Sequence, residues 1–195
     1  MNTMTSSVAT GPSYQEGCAL IERYIRAKDE NRAHLIAGAF HDTAQVHMEV
    51  QTSGISFPPL LNGSAEIAET LVQRFGCTYG NVYTFCLDFD LAASEEAPDT
   101  LVCRWLVAMT AKTDGTARLG WGSYRWKFSR IPDDTQWKVE CLTIQIAQMK
   151  TLSRRAGHDL IHWAGRQPYP FSSDALVLET LPGALLDHEL SDFLR

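Results

Sequence analysis

The stretch from Leu119 to Met149 constrains this chain more than any other. Within it Tyr124, Trp126 and Phe128 alternate with Ser123, Arg125 and Lys127, so three aromatic rings project from one face of an extended strand. Pro132-Asp133-Asp134 predicts a turn, because proline fixes φ and the aspartates hydrogen-bond nearby backbone. Trp137 to Ile146 returns with the β-branched content of a second strand. The result is a long antiparallel hairpin with one apolar face, and that face demands a covering layer.

A chain of 195 residues with 45% hydrophobic content can bury such a face within one globular domain. A net charge of −6 and a pI near 5.5 exclude a phosphate-binding stripe, and with it a nucleic-acid partner. Residues 1–12 are rich in Ser and Thr and lack Lys and Arg, the composition of a loose tail rather than a signal peptide. No run approaches the ~18 apolar residues of a membrane span. Cys18, Cys77, Cys86, Cys103 and Cys141 are odd in number and contain no Cys-x-x-Cys. They suit small hydrophobes in a reduced, cytoplasmic setting better than a disulfide framework.

Ser13-Tyr-Gln-Glu16 has the spacing of a capping box. Tyr14, Cys18, Ile21 and Ile25 follow at helical spacing, widened by Leu20, Tyr24 and Ala27, until the polar run Lys28-Asp-Glu-Asn-Arg32 breaks the helix. A shorter helix carries Ala33, Ile36 and Phe40. From Gln45 the period becomes two: Val46, Met48 and Val50 oppose Gln45, His47, Glu49 and Gln51, a half-buried strand. Gly54 to Gly63 reads as loop, and Ser64 is placed to cap a third helix with Ile67, Ala68, Leu71, Val72 and Phe75 on one face. Strands are predicted over Asn81–Phe89 and Leu101–Ala111, with an acidic loop between them and Thr113-Asp114-Gly115 turning into the central hairpin. Helices followed by hairpin-connected strands imply an α+β fold, with helices against one face of a curved antiparallel sheet. Residues 13–150 form this domain. Residues 151–195, a helix to about Gly165 and then mixed apolar and acidic sequence beyond Gln-Pro-Tyr-Pro, are an extra extension: a lid, a brace or a dimer contact.

Tyr24-Ile-Arg-Ala-Lys with Leu35-Ile-Ala-Gly-Ala-Phe-His-Asp-Thr-Ala-Gln-Val, then Leu61-Asn-Gly-Ser-Ala-Glu-Ile-Ala, then the final two strands, resemble in order and spacing the nuclear transport factor 2-like (SnoaL-like) superfamily. The resemblance covers about residues 13–150. It implies a cone of curved sheet wrapped on the N-terminal helices, an apolar pocket in its open end, no cofactor, and a homodimer through the outer face of the sheet. Polyketide cyclases, ketosteroid isomerases, scytalone dehydratases and limonene epoxide hydrolases share this fold with domains that do no chemistry, so fold alone does not assign function. The ketosteroid isomerase resemblance places Tyr24 at an oxyanion-stabilising tyrosine. It places Met48, which cannot take a proton, at the general base, and puts a position near Tyr124 at a second oxyanion donor.

Four side chains are catalytic candidates. Tyr24 is an oxyanion donor or an ordinary core tyrosine. His47, beside the unmatched base, is a proton shuttle only if a bulge turns it inward, since strict alternation points it outward. Asp42 is a base or a tie within the helix–strand loop. Arg104 sits in an otherwise apolar strand, paired with Asp88 and Asp90, either to position an oxygen as in limonene epoxide hydrolase-like sites or as a cross-strand ion pair. Met48, Tyr83, Trp105, Tyr124 and Trp126 are the expected ligand-binding residues, with the strand of Tyr83 and Thr84 lacking the histidine of related dehydratases. His158 and His162 share a helix face, but no third ligand accompanies them and no metal site is inferred.

Three readings stay open. The first is a cofactor-free acid–base enzyme (isomerase, cyclase, dehydratase or epoxide hydrolase) acting on an apolar ring-bearing metabolite. The second is a non-catalytic ligand-binding module, and the third a dimeric structural domain like a ring-hydroxylating dioxygenase β subunit. The enzyme requires a cavity of a few hundred Å³ and a strongly shifted pKa.

Overall fold

The computed structural model describes residues 11–88, 98–130 and 136–195. Helix α1 (Tyr14–Asp29) begins with the expected capping box: the Glu16 amide donates to Ser13 Oγ at 3.4 Å and the Ser13 amide to Glu16 Oε2 at 2.9 Å. The helix ends within the polar run, as expected, but the first two residues of that run, Lys28 and Asp29, still belong to it and continue its buried side. It ends where Asn31 takes a positive φ of 55°. A 3₁₀ turn (Ala33–Leu35) and the short α2 (Ile36–Ala39) lead into β1 (Phe40–Val50). Part of the predicted loop is strand β2 (Leu60–Asn62), paired with β1. The third helical run has three parts: α3 (Gly63–Ile67), a π-helical stretch (Ala68–Arg74) and α4 (Phe75–Thr78). Its N-cap is Asn62 rather than Ser64, with the Asn62 amide donating to Glu66 at 2.7 Å.

Strands β3 (Tyr79–Leu87), β4 (Thr100–Ala111), β5 (Ala117–Arg130) and β6 (Trp137–Thr151) pair antiparallel in sequence order. Helix α5 (Arg154–Ala164), strand β7 (Phe171–Ser172), helix α6 (Asp174–Thr180) and helix α7 (His188–Phe193) complete the chain. The curved, unclosed sheet has the order β2-β1-β6-β5-β4-β3-β7, and its β1–β6 and β3–β7 pairings are parallel. The Pro132-Asp133-Asp134 turn lies outside the described residues. Among the described residues no helix is long and apolar enough to cross a membrane. All five cysteines are free, but only Cys86 and Cys103 are buried; Cys77 is exposed and Cys18 and Cys141 are half-buried.

The concave face carries the main core. Val46 and Met48 of β1, Leu142 and Ile144 of β6, Tyr124, Trp126 and Phe128 of β5, and Cys103, Trp105 and Val107 of β4 close on Ile21, Tyr24 and Ile25 of α1. The expectation of a single apolar face fails along β3 to β5. Leu119 and Trp121 have the opposite phase from Tyr124 and Trp126, and with Phe85, Leu87, Leu106 and Ala108 they form a second core on the convex face. Leu160, Trp163, Val177, Leu190 and Leu194 of the extension cover it. Over β3 to β5 the convex face is therefore covered by residues of the same chain. Apolar area of this kind is stabilising only when covered, at about 25 cal/mol per Å².

Candidate functional site

The concave core leaves one apolar hollow of about 50 Å³. It exceeds the ~15 Å³ that one water needs, but is far below the ~300 Å³ of a pocket enclosing a drug-sized ligand. The expected volume of a few hundred Å³ is not present within the cone, because indole and thioether side chains fill it. Trp105 stacks on Tyr124 at 5.6 Å, Tyr24 meets Tyr124 edge-on at 6.3 Å, and Met48, Met109 and Met149 line the remaining wall. Ile55 and Phe57, from the segment between β1 and β2, also line it.

Into this apolar lining the chain sends one charged side chain, Lys28. The periodicity of α1 puts it there: Lys28 lies one turn beyond Tyr24, and Asp29 one turn beyond Ile25, so both continue the buried stripe. Lys28 and Asp29 side chains are 9% and 1% exposed. Lys28 Nζ donates to Asp29 Oδ1 and, at 2.8 Å, to Thr84 Oγ1. It stands 4.9 Å over the Phe75 ring. Asp29 is held from three further sides. The Thr84 amide donates to Oδ2 at 2.7 Å, the Thr84 hydroxyl to Oδ1 at 3.0 Å, and the Tyr169 hydroxyl to Oδ2 at 3.0 Å. A carboxylate so engaged anchors the ammonium, and the ammonium keeps one of its three protons for the hollow.

Two phenols and an indole add donors. Burial pushes the Tyr24 hydroxyl far above the ordinary phenol range, with the Asp29 charge adding to the effect. Burial does the same to Tyr124, and Tyr24 reinforces it. Both therefore stay protonated. Trp105 Nε1 is buried without a hydrogen-bond partner among the described residues. The hollow is thus rich in donors and poor in acceptors.

Of the catalytic candidates, the structure brings only Tyr24 to the hollow. His47 is exposed on the convex side opposite Leu60 and Thr143, because the register of β1 is regular from Gln45 to Val50 and no bulge turns it inward. Asp42 is exposed at the irregular start of β1. Arg104 faces the extension, where it contacts Asp174 and the Phe193 carbonyl and lies 3.5 Å from Asp88; Asp90 lies outside the described residues. Met48, Trp105 and Tyr124 line the hollow. Trp126 is fully buried behind Tyr24 at 5.4 Å, as core. Tyr83 points to the convex side against Tyr169 at 6.3 Å, and its neighbour Thr84 takes the inward position. His158 and His162 stack at 6.4 Å on α5, and no group of three metal-ligating side chains occurs among the described residues.

The Arg104 cluster gives a pH prediction. Burial, with Asp88 adjacent, pushes the Asp174 carboxyl up to about 7 against the opposing pull of Arg104. Between pH ~4 and ~7 the folded state then holds a proton that the unfolded state has released, so this site's contribution to stability falls as pH rises. Thermal melting across that window should show a decline that Asp174→Asn removes.

A curved open sheet closed over N-terminal helices around an apolar hollow defines the NTF2-like class. The SnoaL-like domain profile matches residues 14–143, and the chain belongs to that family. The extension lies beyond the match. LinA superimposes with a TM-score of 0.59 at 13% identity, over 72% of this chain and 89% of that one. A hexachlorocyclohexane dehydrochlorinase, LinA-type3, from Novosphingobium barchaimii LL02 gives 0.51 at 14%, over 72% and 90%. A ketosteroid isomerase-like protein from Erwinia carotovora atroseptica gives 0.50 at 12%, over 70% and 99%. At such identities these similarities establish the fold. A search of curated protein sequences gives no match.

Lys28, Asp29 and Thr84 are the functional candidates that sequence reasoning missed. The available signal was the helical period itself: extending the Tyr24/Ile25 stripe by four places opposite charges side by side on the buried face.

Proposed function

We propose that this chain is a cofactor-free enzyme acting on a small apolar, ring-bearing compound with a carbonyl or developing oxyanion. The observation that carries the reading is the Lys28 ammonium, anchored by Asp29 and Thr84 and presented to an apolar hollow. A cation and neutral donors in a low-dielectric site stabilise negative charge on a substrate oxygen far better than water does. The chemistry that fits is loss of an α-proton to a water admitted with the substrate while Lys28 holds the enolate oxygen. It is followed by return of a proton at another carbon, or by departure of a β-hydroxyl as water with a proton from Lys28, which the hydronium ion restores. Lys28 is the electrophile and proton donor in this scheme, Tyr24 and Tyr124 supply further donors, and Asp29 keeps Lys28 in place. Met48, Met109 and Met149 support access for a ring: thioether side chains repack readily, so the resting hollow widens as they and the Ile55–Phe57 segment move aside.

Tyr24→Phe tests the reading. With cyclic ketones and phenolic ring compounds as the panel, turnover should fall about 100-fold while the melting temperature moves little, since the ring packing is kept. A drop in stability with unchanged turnover makes Tyr24 core packing.

A second reading, a ligand-binding module without chemistry, is favoured by one feature: among the described residues Lys28 is the only charged one lining the hollow, and no carboxylate or imidazole lines it. Tight binding of the same probes with no product under any condition supports that reading instead.

A further inference from the structure

The extension reaches the site through Tyr169. After α5 the chain returns along the edge of β3, where the Cys86 amide donates to the Pro170 carbonyl at 2.7 Å and the Asp88 amide to the Ser172 carbonyl at 3.3 Å. This docking sets Tyr169 against the C-terminal end of α1. Its ring packs edge-on against Tyr83 at 6.3 Å and Phe85 at 6.2 Å, with Arg26 stacked over it at 5.4 Å. Arg26 is itself held by Glu22 at 2.7 Å and Glu30 at 3.1 Å. From this frame the Tyr169 hydroxyl donates to Asp29 Oδ2, the same oxygen that accepts the Thr84 amide.

We infer that Tyr169 is a positioning residue, through which the extension beyond the family domain completes the Lys28–Asp29–Thr84 site. This rests on the enzymatic reading of Lys28 for its consequence, but not for its geometry. Four donors converge on two carboxylate oxygens: Lys28 and the Thr84 hydroxyl on Oδ1, the Thr84 amide and Tyr169 on Oδ2. Without the phenol, Oδ2 keeps only the amide, and the carboxylate is free to rotate about its terminal torsion and carry the ammonium with it. Burial and the Asp29 charge hold the phenol protonated far above the ordinary range, so it serves as donor throughout the working pH range. The extension is thus a brace that contributes to the site.

Tyr169→Phe in the full chain removes the hydroxyl and keeps the ring. The Thr84 amide resonance of ¹⁵N-labelled protein should move by several line widths while amides of the β5–β6 pairing stay in place. Turnover on any panel compound that depends on Lys28 should fall about tenfold in kcat with KM little changed. Tyr169→Leu, which also removes the ring, separates packing from positioning. If that variant loses stability while Tyr169→Phe leaves both the Thr84 amide and kcat unmoved, Tyr169 is packing alone and the inference is overturned. If Lys28→Met leaves turnover intact, the enzymatic reading of Lys28 fails instead, and the Thr84 amide still reports whether Tyr169 fixes Asp29.

Discussion

Lys28→Met is expected to abolish turnover, by about 1,000-fold or more, and to lower stability by about 3 kcal/mol or more. The two effects have separate causes. Stability falls because the Asp29 carboxylate, 1% exposed, keeps its neutral donors but loses its counter-charge. Activity falls because methionine keeps most of lysine's unbranched length but has no proton to offer the hollow. The double variant Lys28→Met/Asp29→Leu distinguishes them. Removing both charges takes away the unpaired buried carboxylate but leaves the Thr84 amide and the Tyr169 hydroxyl without their acceptor, so melting should recover only in part while turnover stays lost. Chemical denaturation and panel turnover on the three proteins read both quantities. A double variant that recovers activity along with stability shows that the pair is structural and that the chemistry lies elsewhere.

The second large effect belongs to the wall of the hollow. Gly122 lies at the β5–β6 irregularity, where Trp121 pairs with Gln148 and Gly122 with Ile146, so that Ala147 is the extra residue. A Cβ at position 122 would lie 1.9 Å from the Gln145 carbonyl oxygen and 2.9 Å from the Trp105 ring. The first contact is with backbone and has no rotamer to relieve it, so Gly122→Ala must part the two strands or push Trp105 off Tyr124. A loss of about 3 kcal/mol or more is expected, which for a domain of this size is roughly 6–12 °C of melting temperature. A melting temperature within ~2 °C of the parent would mean that the two strands do not approach this closely.

Much of the architecture was legible where one physical signal acted alone. The Tyr124/Trp126/Phe128 alternation, the Ser13–Glu16 box and the Val46/Met48 phase each specify an element that the structure contains. Met48, Trp105 and Tyr124, expected to meet a ligand, line the hollow, whereas Trp126 on the same phase packs behind Tyr24 and Tyr83 faces the other side of the sheet. The site's charged members were not legible. Lys28 and Asp29 read as a helix-ending polar run because polarity and helix termination usually coincide. Only burial, supplied by the distant Thr84 and Tyr169, makes them a pair, and separations of 55 and 140 residues leave no local trace. Arg104 was legible as a paired cation, but one of its partners, Asp174, lies in the extension. The opposite phase of Leu119 and Trp121 was the overlooked sign of a second apolar face and of the segment that covers it.

The hollow beside Lys28 should accept an oxygen-bearing apolar ring. Methyl-labelled methionine reads it directly, because Met48, Met109 and Met149 all line the hollow and the two other methionines, Met1 and Met4, lie outside the described residues. Titration with 4-nitrophenol should shift the three cavity methyl resonances in a saturable way, and Lys28→Met should weaken that binding by at least tenfold. Cavity methyls that stay fixed at saturating probe, or that respond identically in Lys28→Met, would contradict the account.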